Sequence, residues 1–440
     1  MTKRPRLSVI GTGYLGATHA VCMVELGYEV IGLDVDAAKI AALRAGRIPF
    51  FEPGLPELLA KHIDSGRLRF TTDYAEVAAF ADVHFVCVGT PQQKGQYAAD
   101  LTFVEAAFRA LAEHLERRVL VVGKSTVPAG TAARMAELLA DVAPNKAVEL
   151  AWNPEFLREG FAVEDTLRPD RLVFGVRSEW AEQTIRSAFA PVIEAGTPVI
   201  VTDFATAELV KVAANSFLAT KISFINAMAE VCEATGADVT QLADAIGHDV
   251  RIGRRFLNAG LGFGGGCLPK DIRAFIARAG ELGVDQAVAF LRDVDEINLR
   301  RRARTVELGL DLLDGSYRGT KVAILGAAFK PNSDDVRDSP ALAVAAAVGR
   351  RGAEVKVYDP QANGPAQRMN PELTYAATFD EVVHDVDLIM LLTEWEIFRA
   401  MNPHSVGDKV RRRNVVDGRN VLDPVEWRGA GWIYRSLGRP

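Results

Sequence analysis

The stretch RLSVIGTGYLG, Arg6–Gly16, decides the fold. Its first half is apolar and branched, as a buried strand requires. Its second half spaces Gly11, Gly13 and Gly16 as G-x-G-x-x-G around Tyr14 and Leu15. After a strand and before a helix, that pattern is a dinucleotide turn. Gly11 permits the tight bend, Gly13 admits a pyrophosphate close to the backbone, and Gly16 lets helix and strand pack closely. The helix N-terminus then favours the phosphate charge. ATHAVCMVELG continues as the helix and ends at Gly27, and EVIGLDVD is the next strand. Asp34 closes it where a ribose-binding acid is expected. An acid there accepts bonds from a 2′-hydroxyl and repels a 2′-phosphate, so NAD is expected rather than NADP. A tight turn without a ligand is the alternative reading of the glycines.

Outward from this stretch, apolar strands keep alternating with helices. DVHFVCVGT, RVLVVGKST and AVELAWNPE read as strands, and RLVFGV and PVIVTD as extensions of the sheet. Such runs imply a parallel sheet covered on both faces. Thr90 and Thr126 follow two of these strands at the edge where ligands lie in such folds. Near Asp203 the texture changes. ATAELVKVAANSFLATKISFINAMAEVCEATG has no proline and no glycine until Gly236, so one long helix is expected. More helix follows, and LRRRAR within it reads as a solvated face. Alternation resumes at TKVAILGAAF and continues through AEVKVYDP, DVDLIMLLTEW and NVVDGRN. This second region carries one glycine where the first has three, which argues against a second dinucleotide. The expected fold is α/β, with two doubly wound Rossmann-like domains, 1–203 and 307–440, joined by a helical region, 204–306, that contains the long helix.

The 440 residues are 49% apolar and 25% charged, with a net charge of -6, as in an ordinary globular protein. That charge offers no field for nucleic acid or an anionic membrane. No stretch of membrane-spanning length is present, the basic N-terminus has no apolar leader core, and no metal-ligand cluster stands out. Cys22, Cys87 and Cys232 lie scattered in apolar runs, so a disulfide framework is not expected and a reducing cytoplasm is.

The fourth cysteine differs. GLGFGGGCLPKD, 260–271, brings a glycine run up to Cys267, and Pro269 suits the first turn of a following helix. A thiol at a helix N-terminus is favoured as the thiolate. Asp271 follows within about one turn. A structural cysteine after a flexible turn is the alternative. Thiol and nicotinamide together point past the aldehyde. Thiolate addition gives a thiohemiacetal that can lose a second hydride, and the resulting thioester hydrolyses to an acid. On the long helix, Lys211 and Asn215 share a face at i, i+4 and suit a buried oxyanion, unless the lysine only snorkels. Glu155 and Glu159 in NPEFLREG are i, i+4 if helical, and one is a candidate general base. Surface carboxylates are the plain alternative.

GTGYLG, VGTP, KSTVP, NPEFLREG, ELVKVAANSFLATKISFINA, GFGGGCLPKD and FKPNSDDVRDSP, in this order, resemble the UDP-glucose/GDP-mannose dehydrogenase family over essentially the whole chain. The resemblance implies oxidation of the C6 alcohol of a nucleotide sugar to a carboxylate with two NAD per turnover, and a homodimer built around the long helix. It implies Cys267 as nucleophile, with Lys211, Asn215 and Asp271 as polar partners. Glu155 becomes the base of hydrolysis, and Thr126 positions the water. Lys39, Thr90, Glu159 and Arg337 match cofactor contacts. Arg251, Asn258, Phe329, Lys330, the glycine loop with Phe263 and Gly264, and Phe156 and Leu157 beside Glu155 match nucleotide-sugar contacts. Ser333 replaces a frequent threonine and Gly266 a frequent serine. UDP-glucose is the expected substrate, with TDP- and GDP-sugars open because nothing identifies the base-reading contacts. A two-electron hydroxy-acid dehydrogenase and a non-enzymatic NAD sensor are the competing classes. Two, one or no NADH per sugar separates the three.

Overall fold

The computed structural model describes residues 4–144 and 147–440. The first three residues of the basic N-terminus lie outside that range. The chain divides into two compact units: one runs to Ala214 and includes Arg273–Gly283, and the other holds Asn215–Ile272 and Val284–Pro440.

The N-terminal unit carries an eight-stranded sheet in the order β3-β2-β1-β4-β5-β6-β7-β8. These are β1 Leu7–Ile10, β2 Val30–Leu33, β3 Leu68–Thr71, β4 Val83–Val86, β5 Val119–Gly123, β6 Val148–Trp152, β7 Leu172–Gly175 and β8 Val199–Thr202. Leu7 sits in register with Val30 on one side and Val83 on the other. Alternate residues of β1 feed opposite cores. Leu7 and Val9 pack with Ala17 and Val21 of the first helix, Tyr14–Glu25, whereas Ile10 packs with Val104 and Phe108. Both faces are therefore covered, and the strand can be apolar throughout.

The parallel expectation fails at one joint. β7 runs antiparallel to β6, touching it through Trp152 and Gly175, and β8 follows β7 in parallel. After β6 the chain makes only the short helix Ala162–Leu167 and does not cross back over the sheet. It re-enters at the edge it left, which reverses the strand.

The C-terminal unit holds a parallel six-stranded sheet, β11-β10-β9-β12-β13-β14. Its strands are β9 Lys321–Leu325, β10 Glu354–Tyr358, β11 Thr374–Tyr375, β12 Leu388–Leu391, β13 Asn414–Asp417 and β14 Ile433–Ser436. The long helix is Phe204–Thr235, and its residues to Ala214 belong to the first unit.

LRRRAR is a solvated face only in part: Leu299, Arg300 and Ala303 are exposed, but Arg301 is not. In the helix Phe290–Leu312, Arg301 is fully buried and pairs with Glu233 at 2.8 Å, while Arg304 reaches the same carboxylate at 2.9 Å. Arg302 bonds Asp338 at 2.9 Å. Glutamates on the long helix and a carboxylate beyond β9 supply counter-charges that linear sequence does not reveal. Among the described residues, no helix is long and apolar enough to cross a membrane, and no group of three or more His, Cys, Asp or Glu could hold a metal ion.

Candidate active site

The parallel register of β1, β2, β4, β5 and β6 brings their carboxyl ends to one edge. The turn after β1 lies there. Gly11 adopts φ +87°, and a side chain on Gly16 would collide with the Gly11 carbonyl. Gly13 is different: nothing lies within 4 Å of where its Cβ would stand. The Asp34 carboxylate accepts the Thr12 N–H at 2.9 Å and the Asp36 N–H at 3.1 Å, and Lys39 Nζ lies 2.8 Å from it. Burial raises its pKa, but these donors outweigh burial and leave it below the usual carboxylate range. Tyr14 turns its hydroxyl onto Glu52, and Glu52 also accepts the Gly160 N–H at 2.7 Å and the Ala162 N–H at 2.7 Å. Burial first, and Glu52 second, push the Tyr14 phenol far up, so it stays a donor.

The segment after β6 is a loop, so Glu155 and Glu159 do not face each other across a helical turn. Glu155 accepts the N–H groups of Phe156 at 2.7 Å and Leu157 at 3.0 Å. Its other oxygen lies 3.0 Å from Lys124 Nζ. Thr90 donates its hydroxyl to the Thr126 carbonyl at 2.8 Å. Lys211 Nζ stands 5.4 Å from the centre of the Phe156 ring. All of these belong to the N-terminal unit.

The second set lies in the other unit. Cys267 caps the helix Leu268–Glu281, its carbonyl accepting the Asp271 N–H at 2.9 Å. It is exposed, while Cys22, Cys87 and Cys232 are buried. The Asp271 carboxylate is buried and accepts the Asn215 amide at 2.6 Å and the Lys270 ammonium at 2.5 Å. The glycine run has a packing cause. Gly265 has φ +85°, and a Cβ there would stand 2.9 Å from the Phe329 ring. The Gly265 N–H bonds the Arg337 carbonyl at 3.0 Å. Glycine thus lets the Phe329–Pro340 segment lie against the thiol loop. Arg337 pairs with Asp335 at 2.7 Å, and Lys330 Nζ lies 5.6 Å from the Phe329 ring centre. Phe263 is buried, its backbone held on both sides by Asn298. A side chain on Gly264 would strike the Asp338 carbonyl. Arg251 is exposed and pairs with Asp249 at 2.6 Å, and Asn258 accepts from Arg254 at 2.8 Å.

The sequence reading missed Glu52, Lys124 and Arg419. Arg419 donates to the carbonyls of Gly262 at 3.0 Å and Phe329 at 3.1 Å, tying the glycine loop to its neighbour. Lys124 had a sequence cue, a cation directly after the wholly apolar VLVVG.

Three consecutive family models match the chain: the NAD binding domain of the UDP-glucose/GDP-mannose dehydrogenase family at residues 5–193, its central domain at 205–300, and its UDP binding domain at 323–424. UDP-glucose 6-dehydrogenase of Rhizobium meliloti is 40% identical over 437 residues, covering 99% of this chain and 100% of that protein. The Pseudomonas aeruginosa enzyme of that name is also 40% identical, with 99% and 98% covered. Among solved structures, a UDP-glucose dehydrogenase from the hyperthermophilic archaeon Pyrobaculum islandicum aligns at a TM-score of 0.92 and 39% identity, over 100% of this chain and 99% of that one. A match this complete, in all three segments and in order, leaves one conclusion: the chain belongs to the UDP-glucose/GDP-mannose dehydrogenase family.

Proposed function

We propose that the protein oxidises UDP-glucose to UDP-glucuronate in an NAD-dependent, four-electron reaction. The observation that carries this reading is Cys267, the exposed thiol at a helix N-terminus, in a chain that also holds an open dinucleotide turn. The residues present fit NAD. Gly13 leaves room for a pyrophosphate beside the backbone, and Asp34 is held as an anion suited to a ribose hydroxyl. Lys39, Thr90, Glu159 and Arg337 would add contacts. When bound, NAD supplies the acceptor for the hydride of the alcohol and, after exchange, for that of the thiol adduct.

The chain's own residues do the rest. The Cys267 sulfur adds to the aldehyde carbon, forming a C–S bond and an oxyanion. Lys211 and Asn215 stabilise that charge, a compact cation and an amide donor from one helix. Asp271 holds Asn215 in place. Water held by Thr126 attacks the thioester with Glu155 serving hydrolysis. The C–S bond breaks, the carboxylate product is released, Cys267 is regenerated as the thiolate, and the two protons of the water pass to solvent. Phe156, Leu157, Arg251, Asn258, Phe263, Gly264, Phe329 and Lys330 hold the nucleotide sugar. In this reading residues 1–203 carry the cofactor, 204–306 the thiol and a dimer contact, and 307–440 the nucleotide.

Phe217, Phe224 and Val231 support a homodimer. They recur every seven residues on the long helix, hence on one face, and are 67%, 49% and 52% exposed. An exposed thiol that must stay reduced supports a cytoplasmic location.

A panel of UDP-glucose, TDP-glucose and GDP-mannose, followed by NADH absorbance, tests the substrate. UDP-glucose is expected to give the highest kcat/KM. A preference for GDP-mannose would overturn the assignment.

A further inference from the structure

Lys124 leaves β5 and stays inside, 3% exposed. A buried ammonium needs partners. It has two, Glu155 at 3.0 Å and Asn153 Oδ1 at 2.9 Å. Asn153 is itself anchored, its amide donating to the Val173 carbonyl at 3.0 Å. The ammonium is therefore fixed, and so is the carboxylate oxygen that meets it. The other oxygen of Glu155 is fixed by the two backbone N–H groups of its own loop.

The groups around this pair carry little competing charge. His19, from the first helix, is fully buried with both ring nitrogens unpartnered, and burial first and Lys124 second hold it neutral. Burial likewise holds the Cys22 and Cys87 thiols protonated. Glu52 and Glu25 are the further anions that bear on Cys22. Lys211 and Arg171 lie over the neighbouring Phe156 ring, at 5.4 and 3.9 Å. Lys124 is the cation in contact with the Glu155 carboxylate. Burial raises the Glu155 pKa, yet the Lys124 charge and the three hydrogen bonds leave it below the ordinary range.

We propose that Lys124 is the positioning residue of thioester hydrolysis, fixing both the place and the charge of Glu155. The inference rests on the dehydrogenase reading above. A general base is most effective with a pKa near the working pH. Glu155 is instead held below the ordinary carboxylate range, and as the anion it accepts a hydrogen bond from the attacking water. Water oxygen bonds to the thioester carbon, sulfur leaves as thiolate, and the two protons reach solvent, the first by way of Glu155. The anion is present above its folded pKa. Removing Lys124 raises that pKa, so the acidic limb of hydrolysis must move to higher pH.

Lys124→Met tests this in single-turnover experiments with UDP-glucose and NAD. The early NADH burst should persist, the Cys267 thioester should accumulate in intact-protein mass spectra, and hydrolysis should slow about 100-fold. Its acidic limb should rise by about one pH unit. Lys124→Arg, which keeps the charge, should keep the limb at the wild-type pH even if the rate falls. Equal limbs in Lys124→Met and wild type, with no adduct and a rate lowered only in step with thermal stability, would overturn the proposal. If Lys124→Met does not fold, a limb displaced in Lys124→Arg overturns it and an unmoved limb supports it. Wild-type enzyme that makes no NADH from UDP-glucose would instead defeat the underlying reading.

Discussion

In the N-terminal sheet Asp34 follows β2 and takes the Thr12 N–H from the turn after β1; in the C-terminal sheet Asp359 follows β10 and takes the N–H groups of Ala327 and Ala328 from the turn after β9. The two aspartates then part ways. Among the described residues, one Asp34 oxygen accepts a single N–H, that of Asp36. Asp359 is saturated. One oxygen accepts from Gln361 at 2.9 Å and Ala362 at 2.8 Å, and the other from Ala327 at 2.8 Å, Ala328 at 3.0 Å and the Trp395 indole at 3.0 Å. The turns differ likewise. Gly11 and Gly326, each the first residue after its strand, both take positive φ and lie close to neighbours, but two residues further on Gly13 faces open space whereas Ala328 is fully buried. One strand–turn–helix opening serves a ligand in the first case and the core in the second. A site is grafted onto a fold by leaving polar groups unspent.

Substitution can break that contrast. Asp359→Ala strands several buried donors, each costing about 1–3 kcal/mol. Chemical denaturation should show the C-terminal unit losing more than about 3 kcal/mol, with the NAD/NADP ratio unchanged. Equal stability to wild type would mean the shell is dispensable. Gly13→Val sits next in size. Its Cβ meets no protein atom within 4 Å, so the melting temperature should hold while NAD affinity by calorimetry falls about 100-fold, near 2.7 kcal/mol. Unchanged affinity would remove the turn from the cofactor site. Asp34→Ala is the smallest and sharpens the comparison. It should lower NAD preference over NADP in kcat/KM by about tenfold, the effect of about 1.4 kcal/mol. An unchanged ratio would deny Asp34 its role.

Legibility follows from how each feature is encoded. Central strands such as VLVVG read directly because both faces are buried. The strands missed are edges. β3 LRFT and β14 IYRS place Arg69 and Arg435 on exposed positions, which masks the apolar run, and β11 is two residues long. The glycine turn and the glycine–cysteine–proline run are local, so Gly11, Asp34 and Cys267 were visible. Glu52 was not, because its partner Gly160 lies 108 residues away. The arginine helix was misread in part for the same reason, since Arg301 and Glu233 are 68 residues apart. Glycine before Cys267 was legible as a need for close approach, but the sequence could not say that the Phe329 ring is what approaches.

The central claim is that Cys267 carries the oxidation past the aldehyde. Limiting UDP-glucose with excess NAD, run to completion, measures it directly by NADH absorbance, with the sugar product identified by mass spectrometry. The account predicts two NADH and one UDP-glucuronate per UDP-glucose. One NADH per sugar with free aldehyde released would contradict it.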